Sequence, residues 1–508
     1  MQAFTRHWHG KTEPLRAHRQ RAAPCVFRYD FAPDFQLNKL KAMEMIKSKL
    51  EQYWGIIVLI VWGALILSLS LLRLDPYGIE ESAARALLLN WSVADRVVNP
   101  IVTLGAPDLR ALLFLPLGAY WAGSFVALKV FSLLIFFGAV TFLYRWSRKH
   151  FSDEAALISS GLLLISPLAI MQINSIGIGP YLLLGFGAGL WINQRYREKG
   201  KPLGGWYFTQ NLLIVTMVSI HPAALAYPLA LAWEWKRDPV DARQRKQIQI
   251  GIAAATIFAL VFRFGWPGIE WGINPMESLG ALFSGKVPGD PVASQWVSGI
   301  VPAALLLAVI FYNRKRILEN MMSRMLVLAV VLGAVSADYG WTLIVLATIL
   351  FLGIPLLIKL NDAFGAHSFA GQRGIVMIVV FVTATTFMLG DRAYRSSVIS
   401  GLVSPEDDII RALAIQTEEI EESFNTGSQW PARTMLAVKR PVFPLPPAAE
   451  SPEEFQKMIG NIRFILFDPF EPENKALRDN IAASTNVMET LIQQPNGVIV
   501  KVKLADQD

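Results

Sequence analysis

Leu74-Asp75-Pro76-Tyr77-Gly78-Ile79-Glu80-Glu81-Ser82-Ala83-Ala84-Arg85 follows directly on an apolar block at 55–72 and opens an interval that lasts until the next such block at 124–144. Similar blocks recur at 154–171, 341–358 and 374–389. Each has about the length of a bilayer-crossing helix, roughly 20 residues. The acidic stretch therefore reads as the first loop of a chain that returns repeatedly to a membrane. Composition agrees, since 53% of the 508 residues are hydrophobic, only 17% are charged, and the mean hydropathy is +0.39. Soluble domains carry about 25% charged residues, so too few polar side chains exist here to cover a water-exposed surface. A soluble enzyme and a disordered scaffold are excluded. So is a disulfide-stapled secreted domain, because Cys25 is the sole cysteine.

The formal charge of +7 suggests nucleic acid only until it is divided along the chain. Residues 392–508 hold 12 Lys/Arg and 17 Asp/Glu, against 35 and 23 in residues 1–391. Basic residues of membrane proteins collect on the cytoplasmic side, so no nucleic-acid partner is expected. We predict eleven spans, at 55–72, 124–144, 154–172, 179–194, 206–220, 222–235, 248–264, 296–312, 325–338, 341–358 and 374–390. Loops on one side carry Arg145, Arg148 and Lys149, then Arg195, Arg197, Lys199 and Lys201, then Lys236, Arg237, Arg243, Arg245 and Lys246. Arg314, Lys315, Arg316, Arg324, Lys359 and Arg373 continue that series. The opposite loops carry Lys286 and, within 73–123, Arg73, Arg85, Arg96 and Arg110. The asymmetry predicts a cytoplasmic N-terminus and an outer C-terminal part.

Three parts follow. Residues 1–52 read as a basic cytoplasmic tail without a cleavable signal, with Cys25 a free thiol and Met43 or Met45 an alternative start. Residues 53–391 form the membrane part, with 73–123 its first outer loop. Residues 392–508 read as a small outer α/β domain. In it a helix is expected over 405–424, β-rich runs at Thr434–Lys439, Arg463–Phe467 and Val498–Lys503, and helical stretches at 452–459 and 473–492. Pro441–Pro447 reads as a rigid connector. No glycine-rich phosphate loop follows these strands, so no nucleotide is expected.

Acids just outside a membrane suit either a base that deprotonates a hydroxyl or a metal site. On a helix Glu80 and Glu81 point about 100° apart, so one can face a site while the other supports it. The same pair equally fits the first turn of a helix over Ala83–Trp91, where acids complement the helix dipole. Further on, Gly105-Ala106-Pro107-Asp108-Leu109-Arg110 precedes an apolar run broken at Pro116, which reads as an interfacial or re-entrant helix. Lys129 is the one charged residue well inside a predicted span. That scarcity, with the lack of internal repeats, speaks against an ion-coupled transporter.

In order and layout the chain resembles the GT-C superfamily of membrane glycosyltransferases, the group that includes protein mannosyltransferases and lipid A aminoarabinose transferases. The features are one span, a long outer loop with an acidic pair and an alanine-rich helix, a second span opening near Gly123, a third closed by Ser166-Pro167, and the hairpin Ile220-His221-Pro222 before a basic inner loop. The likeness covers most of residues 50–400. It departs from the family where Glu80-Glu81 replaces the commoner Asp-Glu pair. Asp108-Leu109-Arg110-Ala111 stands in place of a His/Lys-Pro-Pro segment, and Gln172-Ile173-Asn174-Ser175-Ile176-Gly177 where an acid is frequent.

The resemblance implies a glycosyltransferase of a bacterial inner membrane that moves a sugar from a polyprenyl-phosphate donor to an acceptor on the periplasmic side. It implies a catalytic base at Glu80 or Glu81, with Asp75 and Asp108 as supporting or substitute acids. Arg85, Arg110, Arg263 and His221 are the candidate contacts to the donor phosphate. Snorkelling for Arg263 and a plain helix-end role for His221 are the alternatives. The expected partners are membrane lipids and the lipid-linked sugar. No cofactor is predicted, and a divalent metal is left open. The departures leave room for a second expectation, a GT-C-like scaffold without chemistry whose outer domain binds an envelope-assembly partner.

Overall fold

The computed structural model describes residues 78–79, 81–95, 110, 125–199, 205–237, 242–264, 319–333, 341–364, 374–400, 405–420 and 424–503, with short gaps in the last stretch and isolated residues between 304 and 317. The tail 1–52, the span 55–72, Asp75, Glu80, Asp108, the loop 265–295, most of the span 296–312, and Asp338 lie outside the described residues.

Helix α1 (Glu81–Asp95) belongs to the first loop. Helix α2 (Phe125–His150) is apolar for most of its length and ends on Arg148, Lys149 and His150, cations that suit a helix C-terminus. Ser152 then caps α3 (Asp153–Leu164) by accepting from the Ala155 amide at 3.1 Å. Arg148 ties the corner with its Nε 2.7 Å from Asp153. The span predicted at 154–172 is two helices, α3 and α4 (Pro167–Asn174), bent by 53°. The bend falls where Pro167, lacking an amide proton, cannot continue one helix but fits the first turn of the next.

There follow α5 (Gly179–Lys199), α6 (Gly205–Ile220), a 3-10 turn (Pro222–Leu225), α7 (Ala226–Arg237) and α8 (Ala242–Phe264). Then come α9 (Met321–Gly333), α10 (Trp341–Thr348), which runs through a π-helical turn (Ile349–Gly353) into α11 (Ile354–Phe364), and α12 (Gly374–Ser400). Among the described residues two helices, Ala127–His150 and Leu343–Asp362, are long and apolar enough to cross a membrane, and the bent pair makes a third.

The helices meet through small residues. A Cβ on Gly187 would lie 2.6 Å from Phe142, and one on Gly189 would lie 2.5 Å from the Tyr227 ring. In α5 these glycines let α2 and α7 approach closely, as helices do inside membranes. Phe136, Phe186, Tyr227 and Phe351 fill the core. Phe208, Val261, Met377 and Phe381 point outward with most of their surface exposed. Such apolar exposure is stable against lipid and costly against water.

Arg324, which the charge pattern assigns to an inner loop, instead lies in α9 at 2% exposure. Its guanidinium pairs with Glu234 of α7, stands 5.5 Å from the Trp233 ring, and donates to the Asn320 carbonyl at 3.4 Å. A buried arginine needs such a set of partners to offset its lost hydration.

Beyond α12 the chain forms α13 (Pro405–Glu418) and a five-stranded sheet in the order β2-β1-β3-β5-β4. Strands β1 (Asn425–Ser428), β2 (Val442–Pro444) and β3 (Ile462–Phe467) are parallel, and β4 (Met488–Gln494) and β5 (Gly497–Val502) antiparallel. Helices α14 (Pro431–Val438), α15 (Pro452–Ile459) and α16 (Lys475–Ala483) connect them. The runs at 463–467 and 498–503 and the helix at 452–459 stand where expected, and the helix expected over 405–424 ends at Glu418.

Three expectations fail here. Thr434–Lys439 lies largely in α14, since Pro431 starts a helix and Lys439 closes it at φ 56°, overriding the β-branched Thr434 and Val438. Of 473–492, only Lys475–Ala483 is a regular α-helix, and Met488–Gln494 is a polar edge strand with one mostly exposed face. Pro441–Pro447 contains β2, an edge strand, which is where a sheet tolerates proline.

Candidate active site

Helix α1 is placed by its alanine-rich face. Ala83, Ala84, Ala86 and Leu87 are buried against Leu128 of α2, Ile176, Tyr181 of α5, and Ala432 and Leu436 of α14. The short side chains let the first loop pack between the helical bundle and the C-terminal sheet unit.

Glu81 opens α1, and its carboxylate points at the start of α14. It accepts from the backbone amides of Ala432 at 2.8 Å and Arg433 at 3.0 Å. These are orphan donors at the start of α14, and a carboxylate there gains from both hydrogen bonds and dipole. Arg85, one turn on, brings its Nε to 3.5 Å from Glu81. Before the helix, Gly78 takes φ 74° and donates its amide to Asp407 Oδ2 at 2.8 Å. Asp407, 3% exposed, also accepts from Arg433 Nη2 at 2.7 Å, and Glu406 lies 3.7 Å from Nη1. Burial alone would lower the Arg433 pKa, but Asp407, Glu406 and Glu81 together raise it above the ordinary value. The guanidinium therefore stays cationic at every working pH.

The bundle also buries polar groups. Arg110, 0% exposed, donates from Nη1 to the Ile176 carbonyl at 2.8 Å. Ile176 itself sits at φ 55°, a costly conformation for a β-branched residue. It lies in the turn after α4, where the Gly177 amide donates to Gln172 O at 2.8 Å. Lys129 of α2 is fully buried, and one turn away Ser132 Oγ is 2.6 Å from the Tyr181 hydroxyl. Gln172 Oε1 accepts from the Gly179 amide at 3.3 Å, and the Asn174 side chain is buried with neither polar atom hydrogen-bonded. Helices α2, α4 and α5 and the turn after α4 thus bury several polar side chains, and the buried Arg110 is bonded to the turn that packs on α1.

Of the residues singled out from the sequence, Glu81 and Arg85 are together on α1 and Arg110 contacts the turn on which α1 rests. His221 serves as the cap of the 3-10 turn between α6 and α7. It is buried, and its Nδ1 accepts from the Ala223 amide at 3.1 Å, which assigns the proton of the neutral ring to Nε2. Arg263 lies in the last turn of α8, and its side chain lies outside the described residues, as do Asp75, Glu80 and Asp108. Sequence reasoning passed over Lys129 as a site residue, although its isolation in an apolar span was the available signal. Asp407 and Arg433 carried none, because their partners stand more than 300 positions earlier in the chain. No group of three His, Cys, Asp or Glu among the described residues is arranged to hold a metal ion.

No protein-family model matches the sequence, and no curated protein is detectably similar to it. Solved structures are. The Archaeoglobus fulgidus oligosaccharyltransferase tethered with an acceptor peptide containing the NVT sequon aligns with a TM-score of 0.52 at 12% identity, over 83% of this chain and 70% of that one. ArnT from Cupriavidus metallidurans bound to undecaprenyl phosphate aligns with a TM-score of 0.51 at 12% identity, over 89% and 99%. Both are GT-C glycosyltransferases. This chain has a divergent GT-C-like fold. At such low identity the likeness concerns the fold alone.

Proposed function

We propose that the protein is a glycosyltransferase of a bacterial inner membrane, with eleven spans, a cytoplasmic N-terminus and a periplasmic C-terminal domain over 392–508. It moves a sugar from a polyprenyl-phosphate donor to an acceptor at the periplasmic face. The observation that carries the reading is the GT-C-like fold, with the buried Arg110 bonded to the turn on which the helix after the acidic pair rests. Glu80 is the base. Glu81 is less suited, since its carboxylate is engaged with α14. Asp75 and Asp108 are supporting acids, and Arg85, Arg263 and His221 are secondary contacts to the donor phosphate.

In the reaction the base takes the proton of an acceptor hydroxyl as its oxygen bonds to the anomeric carbon. The bond from that carbon to the phosphate oxygen breaks, and polyprenyl phosphate departs with the electron pair. Fixed cations stabilise the charge that grows on the leaving phosphate, and holding both substrates supplies the rest. General base catalysis contributes about 10²–10⁴-fold. Glu80→Gln should therefore lower transfer from a polyprenyl-phosphate-linked sugar by about 10²-fold or more, with donor lipid still retained on purification. Unchanged turnover would remove Glu80 from the role. The scaffold reading draws on Glu81, which is used as a structural anchor, and it predicts a stoichiometric protein partner on purification with no lipid-linked sugar bound.

A further inference from the structure

Helix α4 ends in a turn that the backbone closes by itself. The amides of Ser175, Ile176 and Gly177 donate to the carbonyls of Met171, Ile173 and Gln172 at 2.8, 3.3 and 2.8 Å. The left-handed position of the turn, at φ 55°, falls on Ile176, a β-branched residue for which it is costly. Gly177, next in the chain, would adopt it without strain. The first loop holds the register against that relief. The Ile176 side chain is fully buried in one apolar cluster with Ala83, Ala84 and Leu87 of α1, and its carbonyl accepts from Arg110 Nη1 at 2.8 Å. Strain that the surroundings over-determine in this way collects at ligand sites.

Asn174, two residues earlier, is a second and independent anomaly. It is 2% exposed, and neither Oδ1 nor Nδ2 has a hydrogen-bond partner. Among the described residues it is the one side chain with two such atoms. Asparagine in a turn ordinarily bonds back to nearby backbone, but here the backbone groups of the turn are matched to one another. Gln172 shows the contrast, since its Oε1 accepts from the Gly179 amide at 3.3 Å. Buried polar groups are nearly always paired, and an unpaired one forfeits the hydrogen bonds it made to water. Leucine, of nearly the same size, would avoid that loss. The amide is therefore suited to a group from outside the chain, one that accepts from an N–H and donates to a carbonyl oxygen. A hydroxyl does both, whereas an ionised phosphate oxygen or a metal ion does one.

We propose that Asn174 is a specificity-determining contact for a saccharide hydroxyl, carried either by the transferred sugar or by the acceptor. The identity of this ligand rests on the function proposed above. The unpaired amide and the strained turn are independent of it.

The test uses the full-length protein in lipid nanodiscs, wild type against Asn174→Leu and Asn174→Ser. Without ligand, Asn174→Leu should keep or raise the thermal midpoint, because no internal hydrogen bond is lost. A lower midpoint would mean that Asn174 is bonded within the fold through a buried water, and overturns the proposal. Binding is then followed by the ligand-dependent rise of the midpoint. Undecaprenyl phosphate alone should bind wild type and Asn174→Leu equally, and a difference here overturns the assignment to a hydroxyl. Undecaprenyl-phosphate-linked glucose, mannose and galactose probe the donor, and purified lipopolysaccharide probes the acceptor. For one of these the affinity of Asn174→Leu should be about 10–100-fold weaker, with Asn174→Ser intermediate. A loss confined to the lipid-linked sugars places the hydroxyl on the donor, and one confined to lipopolysaccharide places it on the acceptor. Equal affinities throughout, or no sugar-dependent binding by the wild type, overturn the subsite. Deoxy analogues of the affected sugar complete a double-mutant cycle, in which removal of the contacted hydroxyl should make wild type and Asn174→Leu bind alike. A difference that survives every deoxy substitution overturns the contact. A wild type that binds with this dependence on Asn174 but transfers no sugar defeats the glycosyltransferase reading and leaves the subsite standing.

Discussion

Arg433 is held among Asp407, Glu406 and Glu81, and its own backbone amide belongs to the same contact. Arg324 and Glu234 make a comparable pair inside the bundle. Removing one member of a buried ion pair leaves the other charge without compensation, at about 3–5 kcal/mol. Arg324→Ala is expected to destabilise the protein by about that amount, read as a fall in the detergent-unfolding midpoint. Glu234→Gln, which leaves an acceptor for the guanidinium, should cost less. Gly78 makes a second case. At φ 74° a side chain is strained, and the Asp407 bond depends on that turn. Gly78→Ala should lower stability by about 1 kcal/mol or more and raise exchange at residue 78. Residues of this kind were only partly legible in the sequence. The acidic pair and the isolated Lys129 announced themselves by breaking a local pattern. Asp407 and Arg433 look like ordinary surface charges until the fold brings the first loop to them.

At the scale of elements, most helices follow from apolar periodicity and basic flanks, because lipid leaves a chain little choice but to satisfy its backbone within helices. The sequence was weakest where tertiary contacts decide. Helix α14 is short and carries β-branched residues, and its first amides are capped by a residue 351 positions away. Strand β4 lacks alternation because only part of one face is covered. Inside the bundle, α5 depends on glycines. With Gly189 changed to alanine, the new Cβ would press on Tyr227, whose hydroxyl donates to the Gly189 carbonyl at 3.1 Å. We expect a loss of about 1–3 kcal/mol from overpacking, measured by the thermal midpoint in detergent. Gly161, with nothing within 4 Å of its Cβ position, should accept alanine without such a loss.

For the molecule as a whole, the sequence divides charge along the chain, with 35 Lys/Arg and 23 Asp/Glu in residues 1–391 against 12 and 17 in residues 392–508. The bundle presents apolar side chains outward and buries Arg110 against the turn that packs on α1, and the C-terminal α/β sheet meets α1 through α14. Under the proposed function, a lipid-linked donor meets a base on the first loop. The most direct measurement is release of free polyprenyl phosphate from a polyprenyl-phosphate-linked sugar by the purified protein, wild type against Glu80→Gln. We predict release by the wild type at least about 10²-fold faster than by the variant. Equal release by the two, or none by either in the presence of envelope acceptors, would contradict the account.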